Sequence, residues 1–88
     1  MKKISLNEVK THLNSLMKLR DENDAMTEVK LFLNWVWEEQ IEASSNSVEI
    51  LKDLAMDLEH FSPKEKDEPF FGLNKLARKI EDVLPKLN

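Results

Sequence analysis

The chain has no cysteine, no tyrosine and a single glycine, Gly72, in 88 residues. Without cysteine there is no disulfide, no thiolate zinc site and no cysteine nucleophile. With so little glycine, a β-protein built on tight turns is disfavoured. The glycine-rich loops that cradle phosphates and the G-x-S-x-G nucleophile elbow are missing as well. No apolar run is long enough to span a membrane, and none follows Lys2 and Lys3 to make a signal peptide. The expectation is a soluble, cytoplasmic protein. Its length allows one domain, residues 1–88, with one modest core.

Charge is present but unevenly spread. Residues 1–20 carry a net +4, residues 21–68 a net −10 and residues 69–88 a net +2. An acidic middle argues against nucleic acid as a direct ligand and suits a basic partner. Solubility alone is the plainer explanation of an acidic surface.

The apolar residues recur at helical spacing. Ser5 and Glu8 form the S-x-x-E capping box, followed by Leu6, Val9, Leu13, Leu16 and Met17. The second helix is predicted to start near Asp24. It places Met26, Val29, Leu33, Val36 and Trp37 on one face, with Phe32 and Ile41 at the margins. Leu31 and Trp35 fall on the opposite side among acids, either as covered core or as an exposed anchor for a partner. Asn46 with Glu49, or Ser47 as a competing cap, opens the third helix, whose buried face is Ile50, Leu51, Leu54, Leu58 and Phe61. Pro63 ends it. A connection of about ten residues follows, longer than the bundle norm. Asp67, Glu68 and Pro69 look like the start of the last helix, with its stripe from Leu73 to Leu84. The expected fold is all-α, a compact four-helix bundle with helices at about 5–19, 24–42, 47–61 and 70–84.

Catalytic and metal chemistry finds little support in these residues. Asp53, Asp57 and His60 share a helix, but two histidines and no cysteine in the chain make a poor ligand set, and His12 borders an apolar face. Ser62 near His60 has no oxyanion loop around it. The expectation is no enzyme, no metal and no cofactor. A binding surface is the better reading. Glu49, Asp53 and Asp57 form a row at i, i+4, i+8, where like charges repel without helping the fold. Glu59, His60, Glu65, Asp67 and Glu68 extend it into the long loop.

The segment "LKDLAMDLEHFSPKEKDEPFFGLNKLARKIEDVLPKLN" resembles the C-terminal half of the colicin D-type immunity proteins, which include those of contact-dependent growth inhibition systems. The resemblance lies in Glu59, His60, Phe61 and Pro63, the acidic loop 64–71 and the amphipathic run Leu73 to Leu84. The upstream "LFLNWVWEE" fits the family's apolar helix ending in acids. The resemblance implies a helical inhibitor that forms a 1:1 complex with a basic nuclease toxin domain, often a tRNA-cleaving one. Acids near the helix end would stand in for RNA phosphates. Glu59 carries over; Ser62 and Lys64 stand where the family has acids. The loop acids or the row Glu49, Asp53 and Asp57 would take their place. The alternative expectation is a helical adaptor, or a domain that self-associates through Leu31 and Trp35. Direct nucleic-acid or membrane binding is not expected, and a homo-oligomer is not favoured.

Overall fold

The computed structural model describes residues 2–65 and 67–88. Among them are four α-helices: α1 (Leu6–Met17), α2 (Glu22–Glu38), α3 (Ser45–Leu58) and α4 (Leu73–Val83). Each packs on its neighbour in the chain, and α4 closes the ring against α1. The result is the helical bundle expected from the spacing. No helix of the described residues is long and apolar enough to cross a membrane.

Local chemistry sets most of the helix starts. The Ser5 hydroxyl accepts from Glu8 N–H at 3.1 Å, as the capping box predicts. Asp21, not Asp24, caps α2, taking the Asp24 N–H at 2.9 Å. Ser44 caps α3 through the Ser47 N–H at 3.1 Å, so this helix begins two residues before the predicted 47. Ser47 is therefore no cap. It is fully buried, and its hydroxyl exchanges hydrogen bonds with the Asn88 backbone, accepting from N–H at 2.7 Å and donating to the carbonyl at 3.0 Å. Ser47→Ala would strand both Asn88 groups and is expected to lower stability by about 1–3 kcal/mol in urea unfolding. Asn46 is exposed and caps nothing, so Asn46→Ala should stay within about 0.5 kcal/mol.

Further boundaries depart from the sequence reading. The predicted second helix overruns: α2 stops at Glu38, and Gln40–Glu42 form a short strand, β2. It pairs in parallel with β1 (Lys3–Ser5), with Ile4 opposite Ile41. This pairing turns Ile4 into the core, completely buried. The last helix begins at Leu73 rather than 70, so Pro69 lies outside it. Phe71 has to be extended, because it makes a parallel bridge with Phe61. Ser62 N–H donates to Phe71 O at 2.9 Å, and Phe71 N–H to His60 O at 3.4 Å. Phe61 consequently sits in this bridge, beyond the end of α3 at Leu58, while remaining buried. At the other end of α4, Pro85 falls in a 3-10 turn, Leu84–Lys86.

The inward face of α2 is also corrected. Ala25, Val29, Phe32 and Val36 are the buried set, spaced i, i+4, i+7, i+11. Phe32 is fully buried, whereas Trp37 is 44% exposed. The helix carries apolar residues around most of its circumference, so periodicity alone places the face poorly. Contact with α1 on one flank and α3 on the other fixes it.

Candidate protein-binding surface

The long connection between α3 and α4 is tied at its base. The Phe61–Phe71 bridge joins its two ends, and the rings lie 6.1 Å apart. Lys79 of α4 lies over the Phe71 ring at 5.1 Å and reaches Asp57 of α3 at 3.7 Å. Exposed Phe70 meets the His60 ring edge-on at 6.0 Å. The acids at the end of α3 and the root of the loop are therefore carried on a packed frame, not on a free strand of chain.

The acids singled out in the sequence fall into two groups. Asp53 and Asp57 line a groove of about 310 Å³ between α3 and α4, shared with Lys79, Asp82 and Lys86. Glu65 and Glu68 line a pocket of about 540 Å³ beside Phe70 and Lys75. Glu22 of α2 joins this second pocket. Glu49, Glu59, His60 and Asp67 are exposed and line neither. Lys75 lies 3.3 Å from Glu68. Among the described residues, Glu49, Asp53, Glu59, Glu65 and Asp67 form no ion pair.

Glu59 and Asp57 stand where a helix disfavours them. The C-terminal end of a helix carries the negative pole of its dipole, where bases are the stabilising choice. The last turn of α3 has no base, Asp57 lies within it, and Glu59 is the C-cap residue. Only Lys79, from another helix, offsets this at Asp57.

Leu31 and Trp35 part company. Leu31 is 39% exposed. Trp35 is half-buried, packs against the core and lies 4.9 Å from the His12 ring. His12 in turn contacts Glu28, with Nε2 at 2.9 Å from the backbone carbonyl and Nδ1 at 3.4 Å from the carboxylate. It therefore bridges α1 and α2 as a packed residue. Among the described residues, no three His, Asp or Glu side chains converge to hold a metal ion.

Glu22 escaped the sequence reading, as did the lysine that reaches Asp57. An acid in the first turn of a helix reads as a partner for the dipole, so Glu22 carried no separate signal. Lys79 lies outside the apolar stripe from Leu73 to Leu84, and spacing within its own helix does not point to Asp57. No family model matches the chain, and no curated protein or solved structure matches it.

Proposed function

We propose that this protein is a non-enzymatic inhibitor of a bacterial nuclease toxin, acting in the cytoplasm by covering the toxin's basic cleft with its acidic surface. The observation that carries this reading is the acidic end of α3. Asp57 and Glu59 oppose the helix dipole, and no base lies in that turn. Charges that do not serve the fold are explained by a cationic partner, whose lysines and arginines they attract over distance and then contact. The likeness of this segment and its loop to the colicin D-type immunity proteins supports the toxin nuclease as that partner. Glu59 is the residue in which the likeness and the dipole argument meet.

Glu49 and Asp53 continue the acids along α3, and Glu65, Asp67 and Glu68 form a second acidic group on the loop. The experiment is coexpression with the basic C-terminal nuclease domain of a large secreted protein encoded beside this chain. Cells are expected to survive, and the two proteins to co-purify at 1:1. Cell death with no complex would refute the reading. The adaptor alternative draws on the exposure of Leu31. It predicts a homodimer in sedimentation that Leu31→Ala dissolves.

A further inference from the structure

Among the described residues, Asp57 is the one acid of α3 and its cap with a base within ion-pair reach. That base, Lys79, comes from α4. Its ammonium nitrogen lies 3.7 Å from Asp57 Oδ2 and 5.1 Å from the centre of the Phe71 ring. Phe71 is buried and held by its bridge to Phe61, so this ring is a fixed wall. A carboxylate and an aromatic face both attract a cation, and here the chain's own lysine takes both.

The hold on Asp57 is loose. At 3.7 Å the contact is an ion pair but too long for a hydrogen bond. The Asp57 side chain is 60% exposed, so its oxygens stay open to a donor from outside. Lys79 is better covered, at 33% exposed, with its stem along the protein surface. A second acid is within reach of a displaced ammonium. Asp82 follows Lys79 by three residues in α4, the spacing of neighbours on one helix face, and lines the same groove. Among the described residues, Asp82 makes no ion pair. A rotation of the Lys79 side chain thus exchanges Asp57 for Asp82 and leaves the ammonium beside a carboxylate.

We propose that Lys79 gates the acidic end of α3: it holds Asp57 in the free protein and yields it to a cationic side chain of the toxin. This inference rests on the reading of that helix end as the toxin-facing surface. The gate acts on specificity. A partner gains from Asp57 only the difference between its own contact and the one Lys79 already makes. A cation that offers charge alone therefore gains little. One placed to hydrogen-bond the open carboxylate gains more, because Lys79 makes no such bond. Asp57 so favours a fitted partner over polycations in general.

The test is a double-mutant cycle on the complex with the basic nuclease domain encoded beside this chain. Lys79→Met removes the charge and keeps an unbranched stem against Phe71. It is expected to tighten the complex by about fivefold, the upper end for a partly exposed ion pair, with the helical circular dichroism unchanged. Lys79→Gln should do the same. On an Asp57→Asn background, Lys79→Met should change the affinity by less than about twofold, because the lysine has nothing left to withhold. Lys30→Met is the control for net charge. Lys30 is exposed on α2 and, among the described residues, in no ion pair, so its loss should stay within about twofold at physiological salt. Equal or weaker binding by Lys79→Met overturns the gate. So does a gain that survives Asp57→Asn or that Lys30→Met matches. A parent chain that forms no complex overturns the toxin reading and the gate with it.

Discussion

Lysine in place of Asp53, Asp57 and Glu59 together is expected to weaken the proposed toxin complex by about a thousandfold and to abolish the protection it would give to cells. Each reversal removes an attraction and installs a repulsion, roughly 1–2 kcal/mol apiece at a partly solvated interface. Three such changes sum to roughly 3–6 kcal/mol, and about 1.4 kcal/mol is a factor of ten. The fold should tolerate the triple change. Asp57→Lys loses the contact with half-buried Lys79 at 3.7 Å and sets two lysines side by side, together a cost of about 1–2 kcal/mol. In exchange, lysines at 57 and 59 meet the negative pole of α3, each favourable by about 0.3–1 kcal/mol. Lysine at 53 also ends the repulsion along the row with Glu49. A thermal melt within a few degrees of the parent, beside lost binding, is the outcome that supports the acidic-end mechanism. Protection that persists with the same salt dependence would sink it.

The second large effect is in the core. Phe32→Ala is expected to destabilise the domain by about 3–5 kcal/mol, the usual result of emptying a fully buried aromatic site. A domain of this size has only roughly 5–15 kcal/mol in total. Each kcal/mol lowers the melting midpoint by about 4–8 °C, so the loss should exceed about 12 °C in a thermal melt followed by circular dichroism. Trp37→Ala removes a larger ring yet should cost only about 1 kcal/mol or less, because that ring is 44% exposed. The contrast inverts what helical spacing suggests, since Trp37 falls on the predicted inward face and Phe32 at its edge. Equal effects, or a larger one at Trp37, would mean that α2 is turned differently about its axis.

The candidate surface was partly readable in the chain. Glu49, Asp53 and Asp57 announce themselves by repeating at one helical turn, and Glu59 by standing next to the helix-ending sequence. Spacing along one helix cannot say what faces it from another. It therefore merged the α3 row and the loop acids into one surface. The tertiary packing sets Asp53 and Asp57 against Lys79 and Lys86 of the α4 region, and sets Glu65 and Glu68 against Glu22. Glu22, Asp24 and Glu28 gain their surroundings only through folding. Glu22 meets a loop more than forty residues away in sequence, and Asp24 and Glu28 meet small residues of α1.

The same division runs through the fold. The sequence by itself determined that there are four helices, that Ser5 caps the first, and that Pro85 keeps the last from continuing, whereas α3 ends at Leu58 before the expected stop at Pro63. Those signals act within about one turn of chain, where caps, ring constraints and apolar repeats are local. Only the tertiary structure decided that residues 40–42 leave α2 to pair with residues 3–5, that Phe71 delays α4 by bridging Phe61, and that Phe32 rather than Trp37 faces inward. Each of these depends on a backbone or a helix surface distant in sequence. A strand of three residues has no stability alone. An all-round apolar helix has no preferred face until its neighbours cover it.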